Sequence, residues 1–151
     1  MSDTEYPVPG FNFRVTVGSN RAETSFSEVS GLTLEMEFEE VEEGGANGVR
    51  LRLPLRVKHP NLVLSRGILA KSSALYRWCH ATLVDFRVPI ETMLVHIHLL
   101  DATGAPVRAW TCSDAWPVKW EVTALNSEKN AVAVEKIELA YTQLDQNAGS
   151  P

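Results

Sequence analysis

Carboxylates are the residues best placed to do chemistry in this chain: Glu35, Glu37 and Glu39 recur at every second position and are followed by Glu40, Glu42 and Glu43. A glycosidase needs two carboxylates on opposite sides of a scissile bond, one to protonate the leaving oxygen and one to attack or to activate water. In an extended strand, residues two apart lie on one face about 7 Å from each other, so this row reads as a continuous face and not as a converging pair. His96 and His98 also share a face and could offer two positions to a metal, but no third ligand stands at a telling spacing. Ser30, Ser65 and Ser113 lie in no nucleophile context such as G-x-S-x-G. Gly44, Gly45 and Gly48 form a glycine-rich link, yet a strand-like run comes after it and not the helix that a phosphate-binding loop requires. Cys79 and Cys112 form no C-x-x-C pair and sit in segments that read as helix and strand, so buried free thiols are expected. No enzyme, no cofactor and no metal site is expected.

The acidic row gains meaning from its neighbours in the chain. Leu32, Leu34, Met36 and Phe38 alternate with the acids, and after EEGGANG the apolar Val49, Leu51, Leu53, Leu55 and Val57 alternate with Arg50, Arg52, Arg56 and Lys58. Both runs have the period of two of a strand with one apolar face. If both apolar faces point the same way, opposed residues have numbers with an odd sum, and an acidic row stands beside a basic row on the other face. The turn residues Gly44 to Gly48 favour sums near 91, which sets Glu35 against Arg56, Glu37 against Pro54 and Glu39 against Arg52. Pro54 cannot donate a ladder hydrogen bond, so an edge, bulge or bend is expected there.

Length and composition bound the elements around this hairpin. A chain of 151 residues, 44% hydrophobic and 22% charged, suits one soluble globular domain over residues 1–151. The net charge of -5 argues against specific nucleic-acid recognition. No basic and apolar leader and no apolar run of membrane-crossing length is visible, so no membrane anchor and assembly in the cytoplasm are expected.

Residues 1–10, with Pro7 and Pro9, suit an extended arm. Phe11, Phe13, Val15 and Val17 form a first strand, and a short second strand spans about Glu23 to Val29. Ser30-Gly31 marks a kink. His59-Pro60-Asn61 is a corner, and Leu62, Val63, Leu64, Ile68 and Leu69 resume as a strand. From Ser72 the period changes: Leu75, Trp78, Cys79, Thr82, Leu83 and Phe86 recur at three and four, which predicts one helix over about 73–84 capped by Ser72 or Ser73. Leu75, Trp78 and Leu83 should pack on the sheet. Met93 to Leu100 is a strand buried on much of both sides, Asp101 to Gly104 a turn, and Pro106 to Ser113 its return. Ala115-Trp116-Pro117 is expected to break that strand before Val118, Trp120 and Val122. Val132, Val134, Ile137, Leu139 and Tyr141 suit a last strand with a parity slip near Lys136, and residues 145–151 a loose tail. Many strands with one helix predict a mainly β, antiparallel sandwich or barrel-like domain.

Taken in order, YPVPGFNFRV (Tyr6 to Val15), FSEVSGL (with Phe26, Val29, Gly31 and Leu32), the Glu-rich strand, EGG, Leu53-Pro54, NLVLSRG (with Asn61, Arg66 and Gly67) and AWPVKW (with Trp116 and Pro117) resemble the tail tube proteins of contractile phages and related injection systems. The resemblance runs along nearly the whole chain. It implies a homo-hexameric ring whose sheets join those of neighbours around a lumen that passes cargo, with rings stacked inside a sheath and seated on a baseplate. It also implies similarity to the tube protein of type VI secretion. The runs EGG, LRLPLRVKHPNLVLSRG and KWEV look closer to the baseplate-proximal tube initiator of extracellular injection particles than to the repeated shaft subunit.

The resemblance and the residues meet at the hairpin, whose charged face, made by Glu35, Glu37, Glu39, Arg50, Arg52, Arg56 and Lys58, would line a wet lumen while neighbours close its exposed edges. Two other classes stay open: a monomeric ligand-binding β-barrel, which needs an inward apolar pocket, and an enzyme, which needs a convergent polar site.

Overall fold

The structure is a computed structural model that describes residues 12–18, 23–44, 48–67, 73–126 and 131–147. The arm 1–10, Phe11, Ile68, Leu69, Ser72 and the turn residues 45–47 lie outside the described residues.

Alternation of apolar and polar residues builds strands β1 (Asn12–Val17), β2 (Glu23–Phe26), β3 (Glu28–Ser30), β4 (Glu35–Glu42), β5 (Arg50–Lys58), β6 (Leu62–Gly67), β7 (Met93–Leu100), β8 (Pro106–Asn126), β9 (Ala131–Ala140) and β10 (Gln143–Asn147). All pair antiparallel. The main sheet runs β2-β1-β7-β8-β9-β6-β3. Its two ends are consecutive in the chain, since only Ser27 separates β2 from β3, and the Ser27 amide donates to the Ser65 carbonyl oxygen across the seam (3.1 Å). The sheet therefore closes on itself as a barrel, which removes the outer edges of β2 and β3, while β10 adds to β8 off the closed path. Its inside is filled by Val15, Leu62, Leu64, Val95, Ile97, Cys112, Ala115, Ile137 and Leu139, all fully buried.

Strand β8 is continuous where the sequence predicts a break. Its first half pairs with β7 and β10, its second with β9, and the bend falls at Asp114 (φ 54°) and at a register shift between Pro117 and Lys119. Pro117 needs no ladder bond at that shift, so the strand bends and crosses from one side of the barrel to the other. Of the predicted loose tail, Asp145, Gln146 and Asn147 pair with Thr111, Trp110 and Ala109 beside the half-buried Leu144, and residues 148–151 lie outside the described residues. No parity slip occurs in β9. Glu135, Ile137, Leu139 and Tyr141 are all buried on one parity, and Glu135 takes an inward position because the Trp120 indole N–H donates to its carboxylate.

Ser73 caps the helix, its hydroxyl accepting from the Tyr76 amide at 3.0 Å. The predicted helix exists but changes type: α1 (Ala74–Cys79) runs into a π-helical turn, His80–Val84. Wider winding there rotates the face by which the sequence assigned Leu83 and Phe86 to the core. Leu75, Trp78, Cys79 and Thr82 are buried, whereas Leu83 is 37% and Phe86 69% exposed. The thiols of Cys79 and Cys112 are free and buried, and burial pushes both up to about 12, with the charge of Glu135 adding to the effect at Cys79.

Candidate functional site: a rooted ribbon with crossed faces

Strands β4 and β5 form a sheet of their own. Isolated two-stranded ribbons are marginal in water, so the root of this one matters. Gly31 (φ +96°) turns the chain out of the barrel, and a β-carbon there would lie 2.2 Å from the Asn61 carbonyl oxygen. Only glycine fits that approach and that backbone angle. Opposite it, the His59 ring stacks on Tyr141 with centroids 4.0 Å apart, and the Asn61 side-chain amide donates to Glu138 at 2.8 Å. Of the resemblance residues, Phe26, Val29, Leu32 and Pro117 pack in or against the barrel core, whereas Pro54 lies in the ribbon and Trp116 is exposed. Phe26 is buried with the Arg66 guanidinium 5.8 Å from its ring centre, Val29 pairs with Leu64, and Pro117 is fully buried.

The register differs from the one predicted. Glu35 faces Lys58, Met36 faces Val57 and Glu37 faces Arg56; then the register shifts, and Phe38 faces Pro54, Glu39 Leu53, Glu40 Arg52, Val41 Leu51 and Glu42 Arg50. Sums are 93 near the root and 92 beyond it, not 91. The cause is the expected bulge at Pro54, with Leu55 as the extra residue. The bulge answers a feature of β4, in which the doublet Glu39-Glu40 breaks alternation and moves Val41 to the opposite parity from Met36 and Phe38.

The ribbon is thus amphipathic in two opposite senses. In its inner half one face carries Glu35, Glu37, Arg56 and Lys58, and the other Met36, Phe38, Val57 and Pro54. In its outer half the first face continues with Glu39, Leu53, Val41 and Leu51, and the second with Glu40, Arg52, Glu42 and Arg50. Ion pairs respect these faces. Arg56 donates to Glu37 at 2.5 Å and Lys58 lies 3.4 Å from Glu35, while Arg52 and Arg50 reach Glu40 at 3.4 and 3.6 Å. The hydrogen bond from Arg56 holds the Glu37 carboxyl below the usual carboxylate range. Arg52 also lies over Phe38, 5.0 Å from the ring centre.

Eight large apolar side chains of the ribbon and its ends, Leu34, Met36, Phe38, Val49, Leu51, Leu53, Leu55 and Val57, are 41–59% exposed. A second exposed apolar group lies at the end of the π turn and just beyond it: Leu83, Val84, Phe86 and Val88. Sequence periodicity missed this group by continuing the helix through it, and missed Glu40 and Glu42 as ion-pair and register partners by assuming one register.

His96 meets Thr111 at 3.2 Å and shares no metal-binding cluster among the described residues. Ser30 pairs with Val63 and Ser65 with Glu28 in the β3–β6 ladder, and Ser113 lies in β8 opposite Gln143. No helix of the described residues is long and apolar enough to cross a membrane.

The described residues form a closed antiparallel barrel with one helix and a two-stranded ribbon that, among them, pairs with no other strand. The T4-like virus tail tube protein gp19 family matches residues 9–145, and this chain belongs to that family. No curated protein sequence matches it. Among solved structures, a chain of the anti-feeding prophage (AFP) baseplate, 6-fold symmetrised, is 29% identical with a TM-score of 0.75, over 92% of this chain and 93% of that one. A chain of the AFP tube terminating cap is 25% identical, with a TM-score of 0.75 over 99% and 100% of the two chains. The fold is shared more widely: Hcp1 from Salmonella typhimurium is 13% identical with a TM-score of 0.59, over 92% and 87%.

Proposed function

We propose that this chain is a ring-forming subunit of the inner tube of a contractile injection system. Six copies would form the ring, the number suggested by the symmetry of the 29% identical baseplate structure. The observation that carries the reading is the ribbon: a two-stranded sheet with eight half-exposed apolar side chains at the ribbon and its ends, and two edges unpaired among the described residues, rooted in a closed barrel. Neighbouring copies in a ring would pair those edges and cover that surface. In the ring, the inner-half face bearing Glu35, Glu37, Arg56 and Lys58 turns to a wet lumen through which cargo passes, and Met36, Phe38 and Val57 turn away from it. Stacked rings, a sheath and a baseplate are the partners.

Likeness to a baseplate chain supports a place in the ring that starts the tube. The alternative, a repeated shaft subunit, is supported by likeness to a chain of the PVC sheath-tube complex in the extended state, 24% identical over 98% and 99% of the chains. The ligand-carrying barrel lacks support, because side chains fill the barrel interior.

Electron microscopy of particles assembled with and without this chain tests both readings. An initiator is required once per particle, so its loss leaves baseplates without tubes and a label on it marks one end. A shaft subunit is labelled along the whole tube. Particles of normal form and composition without this chain would overturn the proposal.

A further inference from the structure

The crossing of faces at the bulge means that one neighbour cannot cover the ribbon. If the inner half points its charges to the lumen, the outer half turns Val41, Leu51 and Leu53 to that same side, with Glu39 among them. A face that apolar would not be left in water, so the outer half must lie on another surface. Glu39, Glu42 and Glu43 in this half make no ion pair among the described residues, so the complement is apolar with a cationic edge.

The chain itself carries such a surface. Val84, Phe86 and Val88 are 59–73% exposed on the segment that begins at the end of the π turn. Phe86 is held in the left-handed region (φ 48°), a costly conformation for a bulky residue, and its ring is left in solvent. Beside it is a depression of about 360 Å³ lined by Tyr76, Arg77, His80, Ala81, Asp85 and Arg87. Asp85 is engaged by His80 at 3.4 Å, whereas Arg87 is exposed and has no ion pair among the described residues.

We propose that the outer half of the ribbon docks on the Leu83–Val88 segment of another copy of this chain, Val41, Leu51 and Leu53 packing on Val84, Phe86 and Val88, and Glu39 pairing with Arg87. The contact is heterologous, one patch meeting a different patch, so it propagates from copy to copy and does not end in a closed pair. It rests on the tube reading and adds to it the surface that receives the ribbon.

The test is a charge swap in the full chain, co-produced with its sheath and baseplate partners. Glu39→Arg alone and Arg87→Glu alone should each lower the yield of assembled particles about ten-fold, since each puts like charges together at a repeated contact. The double variant should return the yield to near wild type. Melting temperatures of the free chains should not move, because both residues are exposed. In parallel, Leu51→Cys with Phe86→Cys should give covalent multimers in assembled particles, since the native thiols are buried. Singles that assemble normally, a double that is not rescued, or a Leu51→Cys cross-link falling outside the Leu83–Val88 segment would each overturn the docking while leaving the tube reading intact. Failure of the unaltered chain to enter any particle would overturn the tube reading, and the docking with it.

Discussion

The barrel and the ribbon are written in the same alternation, yet one is complete and the other is not. In the barrel, the apolar parities of β1, β6, β7 and β9 meet at a single interior, and the chain supplies every wall. In β4 and β5 the same alternation leaves apolar side chains half exposed on a sheet that pairs with no other strand among the described residues. Alternation therefore tells that a face will be covered, but not by which chain. Substitutions should separate the two regions: barrel changes act on folding, and ribbon changes act on assembly.

The largest effect is expected in the core, where the helix packs against the barrel. Trp78 is 3% exposed and its indole donates to the Glu91 carbonyl at 2.9 Å, so Trp78→Ala opens a cavity and strands an acceptor. The cost should be about 3–5 kcal/mol, a large share of the roughly 5–15 kcal/mol that holds a domain of this size. Denaturant unfolding measures it, and a melting temperature near wild type would show that the helix does not brace the barrel. Next comes the root. Gly31→Ala forces a β-carbon against the Asn61 carbonyl oxygen in a left-handed backbone, and should cost about 1–3 kcal/mol. Because it shifts the ribbon's exit, assembly should suffer even at temperatures where the variant is folded. A folded Gly31→Ala chain that still assembles would show that the root need not be rigid.

In the ribbon the balance reverses. Met36→Asp with Val57→Asp replaces two opposed, half-exposed side chains, so the free chain should change by less than about 0.5 kcal/mol per site. Particle yield, counted by microscopy, should fall nearly to nothing. Equal losses of folding and assembly would break the distinction between the regions.

The barrel was largely legible because its rules are local: Val15, Val17, Val95 and Ile97 alternate cleanly, Ser73 caps a helix, and Gly31 kinks where a glycine interrupts a strand. Three failures share one cause, which is that a defect in alternation can be answered elsewhere in space. Glu135 sits inward because the indole N–H of Trp120, fifteen residues earlier, donates to its carboxylate. Pro117 bends β8 without ending it because the register shifts beside it. The hairpin register slipped because the Glu39-Glu40 doublet in β4 and Pro54 in β5 are matched irregularities, and reading β5 alone as regular hides the match. The doublet was the available signal. The exposed Phe86 carried none, since a π turn keeps the residue types of an α-helix while changing its winding.

The smallest effect expected on the free chain is at the ion pair that fixes the inner half of the ribbon. Arg56 and Glu37 meet at 2.5 Å with Arg56 mostly in solvent, and such pairs are weak because water screens them. Arg56→Glu should leave the melting temperature nearly unchanged, but in a ring the repulsion with Glu37 recurs at every copy, so particle yield should fall. The register identifies the rescuing partner as Glu37→Arg, whereas the sequence alone pointed to Glu35. The pH dependence has a definite sign. Arg56 holds the Glu37 carboxyl below its ordinary value of 4.5, so the pair is fully formed above that value and is lost as pH falls through the lower, folded one. Acid and salt should therefore weaken wild-type assembly and make it approach the Arg56→Glu level, with the Glu37 side-chain titration followed by nuclear magnetic resonance. Rescue by Glu35→Arg in place of Glu37→Arg would reject the bulged register, and with it the crossing of the ribbon's faces.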